Sequence, residues 1–117
     1  MEAAIDMNST PKDKVTIKPV KPAVTATTVV ANLAKLNDWK LVGDGADIAI
    51  EKTFSFSNYY QTMAFVNAVA FIAHSQNHHP ALSVHYKHCN VSFSSHDVGG
   101  LSMRDFESAA LVDALLI

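Results

Sequence analysis

The 117-residue sequence is poor in residues that cross-link or strongly charge a protein, with one cysteine, four glycines and a charged fraction of 17%. The lone Cys89 cannot form an internal disulfide, so we expect a reducing, cytoplasmic setting. Nine Lys and Arg against eleven Asp and Glu give a formal charge of -2, which provides no basic excess to neutralise phosphates. The composition therefore predicts no direct binding to nucleic acid.

Long apolar runs are also missing. The longest covers residues 64–73, is interrupted by Asn67, and is shorter than the roughly 20 residues that a helix needs to cross a bilayer. Residues 1–14 lack the apolar run of a secretory signal. With 49% hydrophobic residues, the chain is instead expected to be soluble, to bury a substantial core and to avoid membranes.

The two ends of the chain differ in pattern. Residues 1–24 contain Pro11, Pro19 and Pro22 among scattered Lys and Thr, with no sustained apolar period. Such a segment has too little apolar area to offset the entropy of ordering, so we predict a flexible tail. Residues 25–117 carry regular patterns and are predicted to form a single domain.

The first half of this domain predicts a helix, a hairpin and a longer helix. The first helix begins after a cap at Thr27 or Thr28 and ends near Asn37. Alternating apolar residues on both sides of residues 43–45, a Gly-Asp-Gly sequence, indicate two antiparallel strands. The longer helix is capped by Ser57 and must end by about His78, because Pro80 keeps the residue before it out of the helical region.

The second half predicts another hairpin and a last helix. Its two strands are marked by Leu82, Val84 and Tyr86 and by Val91 and Phe93, with the turn near Lys87 and His88. Ser102 with Asp105 resembles a capping box at the start of the last helix, which carries Phe106, Leu111, Leu115 and Leu116.

The resulting order, α-β-β-α-β-β-α, predicts an α+β fold. Hairpin connections favour a four-stranded antiparallel sheet with the three helices packed on one face. Such a short sheet leaves exposed edges, and the chain is rich in apolar residues, so we expect a homodimer or a homotetramer.

Histidine is the residue type that carries the strongest chemical signal, because all six histidines lie between positions 74 and 96. His74 and His78 are four residues apart on one helix face, and His79 follows where Pro80 redirects the chain. A group of imidazoles at a helix end can combine a proton donor with a proton acceptor near neutral pH, as acid–base catalysis requires. The alternative is that these are surface histidines at a helix terminus.

These residues fall in a recognisable order. His74 is followed after three residues by His78-His79-Pro80, after five more by Tyr86, after nine by His96 and after eight by Asp105. The sequence resembles the pterin-4a-carbinolamine dehydratase family in each of these spacings. It also resembles that family in residues 94–102, which join the last strand to the last helix, and in Trp39 ahead of the first hairpin.

The resemblance implies a lyase that removes water from 4a-hydroxytetrahydropterin, with neither a metal nor an organic cofactor. It implies that His78, His79 and His96 line the pocket as general acid and general base, without assigning which is which. Asp105 either orients a pocket histidine or only caps the helix, and Tyr86 is either a pocket wall or a core residue. The remaining residues implied to contact the substrate are His74, Pro80, Ser95, Asp97 and Val98.

Two positions depart from the family pattern. His74 stands where many members have an acidic residue, and Leu82 stands where many have tryptophan. Loss of a flat aromatic side chain at the rim of the pocket can alter pterin recognition, so the departures bear on substrate identity.

Two other functions remain open from the sequence. His74 and His78, with His79 or His96 as a third ligand, have a spacing acceptable for zinc. A non-catalytic dimerisation module is the second alternative, because a vertebrate member of the family also serves as a dimerisation cofactor for a homeodomain transcription factor. Retention of the three pocket histidines favours catalysis.

Overall fold

A computed structural model describes residues 23–116 and has the predicted order of elements. Short 3-10 turns lie at Gly45–Asp47 and His96–Val98. The helices and strands are α1 (Ala26–Leu33), β1 (Lys40–Val42), β2 (Ala49–Ser55), α2 (Tyr59–Gln76), β3 (Ala81–Val84), β4 (His88–Phe93) and α3 (Met103–Ala114).

The four strands form one antiparallel sheet in the order β1-β2-β4-β3. Ile50 of β2 lies opposite Phe93, and Ala81 of β3 lies opposite Ser92. Strand β4 is therefore central and the short strand β3 forms one edge. The predicted antiparallel α+β architecture is confirmed.

One face of the sheet packs against the helices. Buried residues of β2 and β4 form a single core cluster with Val29 of α1, Phe65 of α2 and Phe106 of α3. The other face is polar: Asn90 donates a hydrogen bond across the sheet to Thr53 at 3.0 Å. Since polar side chains cover that face, the helices need to pack on only one side.

The start of the domain differs from prediction in its details. The predicted tail, residues 1–24, lies outside the described residues except for its last two, and the backbone N–H of Val24 donates to Leu101 at 2.9 Å. Thr25, rather than Thr27 or Thr28, caps α1 because it is the extended residue directly before the first turn, and its Oγ1 accepts from the N–H of Thr28.

The exit from α1 and the first hairpin also differ. The helix ends at Leu33 and not near Asn37, since the chain turns there and places Leu36 against the core. The link between β1 and β2 is longer than a tight turn and includes Gly43, whose φ is +72°. A Cβ there would lie 2.4 Å from the carbonyl oxygen of Asp47, so the position requires glycine.

The ends of α2 are set by two asparagines. Asn58, one residue after the predicted cap Ser57, caps the helix by accepting from the N–H of Gln61 at 2.9 Å, while the Ser57 N–H donates to the Gln61 side chain. The helix ends at Gln76 because Asn77 adopts the left-handed conformation, with φ 51°. Within residues 23–116, no helix is long and apolar enough to span a membrane.

The second hairpin turns earlier than predicted. Residues 85–87 form the turn, so Tyr86 lies in the turn and not in a strand, while His88 begins β4. The turn is held by hydrogen bonds from the N–H of His85 to the carbonyl of His88 and from the N–H of Phe56 to that of Lys87. These contacts to a neighbouring segment fix a turn that no glycine marks.

The buried face of α3 was only partly predicted. Phe106, Ala109 and Val112 are buried, whereas Leu111, Leu115 and Leu116 remain exposed in the single chain. The predicted start of α3 is confirmed: the Ser102 N–H donates to Asp105 at 2.9 Å.

Cys89 generates a test of this core. Its side chain is fully buried in β4, and burial raises the pKa of its thiol above the usual 9.0. We expect a thiol reagent to label the native protein slowly at neutral pH and the urea-unfolded protein rapidly. The preference for the neutral thiol stabilises the fold fully below pH 9.0 and is lost as the pH rises through the folded pKa.

The measurement is unambiguous because Cys89 is the single cysteine of the chain. Labelling of the native protein as fast as that of the unfolded chain would contradict the placement of β4.

Candidate functional site

His78 and Asp105 form a buried pair at the end of α2. The Nε2 atom of His78 lies 2.6 Å from Oδ1 of Asp105, and the two residues are 7% and 0% exposed. The imidazole ring stacks on Phe93, the last residue of β4, with centroids 5.7 Å apart and an interplanar angle of 16°. The ring is therefore fixed both by a short polar contact and by a flat apolar surface.

The second oxygen of Asp105 is also engaged. Oδ2 accepts hydrogen bonds from the Ser95 hydroxyl at 2.8 Å and from the Ser102 backbone N–H at 2.9 Å. One carboxylate thus caps α3 and contacts the histidine at the same time, so the two roles weighed for Asp105 coexist. The Ser95 and Ser102 hydroxyls lie 2.7 Å apart, which completes a connected polar cluster.

The segment between β4 and α3 brings these groups together. After Phe93 the chain forms a short loop in which Ser95 pairs with Gly100 as in an antiparallel sheet. Gly99, between them, has the left-handed conformation with φ 72°. The N–H of Ser95 donates to the carbonyl of Gly100 at 3.0 Å. This closed loop returns the chain toward its starting point, which places Ser102 beside Ser95.

Two other predicted histidines lie at the same end of the sheet. His96 is exposed in the loop, with its Nε2 3.1 Å from the hydroxyl of Ser94. His79 is exposed two residues before β3, and β3 pairs with β4 so that Ala81 is opposite Ser92. The antiparallel pairing therefore brings the entry to β3, with His79, to the same sheet end as the exit from β4.

The remaining residues predicted to contact substrate are more dispersed. Asp97 forms an exposed ion pair with Arg104, in which one guanidinium nitrogen donates to both carboxylate oxygens at 2.9 Å. Pro80 and Val98 are half-buried, and His74 is exposed on the last turn of α2. Pro80 and Val98 adjoin His79 and His96 in sequence, while His74 lies one turn before His78.

Tyr86 is not brought together with the histidines within one chain. It lies in the hairpin at the opposite end of β3 and β4, and its ring stacks on Tyr59 at a centroid distance of 5.8 Å. Four strand residues separate this turn from Pro80, which at about 3.3 Å per residue is more than 10 Å. The alternation that suggested a strand tyrosine ends with β3 at Val84, two residues earlier, and Tyr86 is 66% exposed and therefore not a core residue of the single chain.

The geometry gives little support to the metal-binding alternative. Among residues 23–116, no three His, Cys, Asp or Glu side chains are grouped so that they could hold a metal ion.

Two members of the site were not predicted as such. Ser102 was predicted only as a helix cap, and Phe93 only as a strand residue of the core. The capping spacing from Ser102 to Asp105 could have suggested that both belong to the site, because Asp105 was already a candidate. No pattern in the sequence indicates that Phe93 stacks on His78.

Comparisons with known proteins identify the family to which the sequence is similar. The sequence model of the family described as pterin 4 alpha carbinolamine dehydratase matches residues 22–115. A relative in Paracidovorax citrulli that carries this family name is 58% identical over 94 residues, covering 80% of this chain and 81% of the relative. Another such relative, in Chromobacterium violaceum, is 51% identical over 88 residues, covering 75% and 78%.

Two solved structures share the fold. One is described as a transcriptional coactivator/pterin dehydratase from Brucella melitensis, with a TM-score of 0.74 and 24% identity over 80% of this chain and 97% of that one. The other is described as a pterin dehydratase-like protein that is a RuBisCO assembly factor in the alpha-carboxysome. It gives a TM-score of 0.58 and 26% identity over 68% and 89% of the two chains.

The Asp105 cluster can be tested by stability. Asp105→Ala removes the acceptor for three buried donors, so we expect the free energy of unfolding to fall by about 2–4 kcal/mol. Asp105→Asn keeps an acceptor oxygen for the cap and should lose less. The exposed neighbour Glu107→Ala is the control, expected within about 0.5 kcal/mol of the parent in urea unfolding. Equal effects of Asp105→Ala and Glu107→Ala would exclude a structural role for the cluster.

Proposed function

Because this chain belongs to the pterin-4-alpha-carbinolamine dehydratase family, we propose that it is a hydro-lyase that dehydrates 4a-hydroxytetrahydropterin to quinonoid dihydropterin. The observation that carries the proposal is the buried His78–Asp105 pair at the same sheet end as His79 and His96. A carboxylate that orients an imidazole beside two exposed histidines is an arrangement suited to acid–base catalysis.

The reaction needs two proton transfers. One group donates a proton to the departing C4a hydroxyl, which leaves as water when its C–O bond breaks. A second group takes the proton from the ring nitrogen as the C=N bond forms, so that the sum is loss of one water molecule. Histidines suit both steps because their usual pKa lies near neutral pH.

The three histidines have different environments that suit different tasks. His78 is buried, and its Nε2 is held by Asp105, which fixes the orientation of the ring. His79 and His96 are exposed and can meet a substrate that lies across the sheet end. We propose that proton transfer is shared among these three rings, with no metal ion or organic cofactor.

The substrate contacts that we propose surround this sheet end. Pro80 and Val98 offer apolar surface to the flat pterin ring, while His74 and the oriented Asp97 offer polar groups at its edge. Ser95 has a buried side chain, so its hydroxyl contacts protein and not solvent. Tyr86 is left out of the proposed pocket because of its place at the far end of β3.

The setting that we propose is recycling of a tetrahydropterin after aromatic amino acid hydroxylation, in the cytoplasm. A reducing compartment suits the buried, unpaired Cys89. A binding role of the kind named for the RuBisCO assembly factor remains the alternative function. Absence of dehydratase activity together with a stable hetero-complex would favour that alternative.

We further propose that the chain forms a homodimer or homotetramer. On α2, Tyr60 and Phe71 are 82% and 73% exposed. Leu82 and Val84 are also exposed on the edge strand β3. A groove of about 410 Å³ between α2 and the end of α3 is lined by apolar residues that include Phe65 and Leu115. So much exposed apolar surface on a small chain favours self-association.

The oligomer prediction is tested by light scattering at micromolar concentration. We expect a mass of two or four chains, and we expect Phe71→Glu to lower that mass because it places a charge in the exposed apolar surface of α2. Thr53→Glu, on the polar face of the sheet, is the matched control and should keep the parent mass. A parent protein that scatters as a monomer would contradict the proposal.

The catalytic proposal is tested by His79→Ala and His96→Ala in an assay with synthetic 4a-hydroxytetrahydropterin. Each substitution should lower the catalysed rate by roughly 10²-fold or more while leaving Tm nearly unchanged, because both rings are exposed. The double variant should lose much less than the product of the two single losses, since both residues act on one event.

His85→Ala is the matched control, because His85 lies in the hairpin at the far end of the sheet. It should keep the parental rate, and addition of a chelator should have no effect on any variant. Parental rates in both single variants would refute the role of His79 and His96 in proton transfer, and chelator inhibition reversed by zinc would support the metal alternative.

A further inference from the structure

The hydroxyl of Ser95 is buried and engaged by other side chains. Ser95 is 1% exposed, and its Oγ contacts Asp105 Oδ2 at 2.8 Å and Ser102 Oγ at 2.7 Å. The resemblance implied that Ser95 contacts the pterin, yet both contacts of its hydroxyl are to other side chains of the protein. Ser95 therefore needs a role other than direct contact between its side chain and the substrate.

The number of available protons determines which group donates in each hydrogen bond of the cluster. A serine hydroxyl has one proton to donate, and that of Ser95 goes to the Asp105 carboxylate. The contact between Ser95 and Ser102 must then be a donation from the Ser102 hydroxyl. The Ser102 N–H donates to the same carboxylate oxygen. Two donors thus occupy Oδ2, and Oδ1 remains for His78.

We infer that Ser95 and Ser102 are positioning residues that set the tautomer of His78, an inference that rests on the dehydratase function proposed above. An ionised carboxylate only accepts hydrogen bonds, so Nε2 of His78 carries a proton and donates it as a hydrogen bond to Asp105. The neutral ring then has no proton on Nδ1, and that atom is the proton acceptor of the pair.

The backbone makes this arrangement rigid. Ser95 is held by its bridge to Gly100, and Ser102 is held as the cap of α3. Asp105 cannot rotate toward another partner without losing donors from both segments. The stack of His78 on Phe93 fixes the plane of the ring, and the carboxylate fixes its rotation within that plane. A change at Ser95 is therefore transmitted to His78 through Asp105 alone.

The test uses ring-nitrogen NMR of the full-length protein without substrate, together with the pH profile, kcat and KM of the dehydratase. In the parent, the neutral His78 ring should carry its proton on Nε2. In Ser95→Ala, the two tautomers should mix, and kcat should fall roughly 10- to 100-fold with KM little changed. Ser95→Thr keeps the hydroxyl and should restore both readouts.

Ser108→Ala is the matched control. Ser108 is equally buried, lies one turn beyond Asp105 in α3, and has an Oγ with no hydrogen-bond partner among residues 23–116. Its substitution should leave the ring signals and kcat at parental values, since no hydrogen bond is lost. If Ser95→Ala does not fold, Ser102→Gly removes the hydroxyl that donates to Ser95 while keeping the cap N–H, and should change the ring signals in the same direction by a smaller amount.

The outcomes separate this inference from the proposed function. Parental ring signals in Ser95→Ala would overturn the inference, as would a raised KM with unchanged kcat, which would make Ser95 a substrate contact. An inactive parent protein would refute the dehydratase function, while the ring signals alone would still support or overturn the positioning role.

Discussion

The buried carboxylate of Asp105 is the group on which the arrangement of the site depends. A charge inside a protein is tolerated only where hydrogen-bond donors replace water, and each missing donor is costly. The donors to Asp105 come from three segments: His78 after α2, Ser95 after β4 and Ser102 before α3. The carboxylate can be buried only when these segments meet, so satisfying it also assembles the site.

The ends of two helices meet at this pair. Asp105 lies in the first turn of α3, where the partial positive charge of a helix N-terminus favours an anion. His78 follows the C-terminus of α2, so the contact joins the end of one helix to the start of the other. The polar pair therefore lies where the two helix termini meet the core of the sheet.

The sequence was sufficient for the order of elements, because periodicity and the position of Pro80 are local signals. It was insufficient where neighbouring residues have similar propensities. Thr25 competes with Thr27 as a cap, and Asn58 competes with Ser57. Contacts with distant segments decide between them, as they do for the turn at residues 85–87. The double role of Asp105 was undecidable from spacing, since a cap and a histidine partner require the same residue type.

The difference between His78 and His79 shows how a local conformation assigns function within a motif. The left-handed Asn77 ends α2 abruptly, and the chain then runs extended into Pro80. Successive side chains of an extended segment point in opposite directions, so one histidine must turn into the protein and the next must turn out. The position of Asn77 therefore determines that His78 is buried and His79 is exposed.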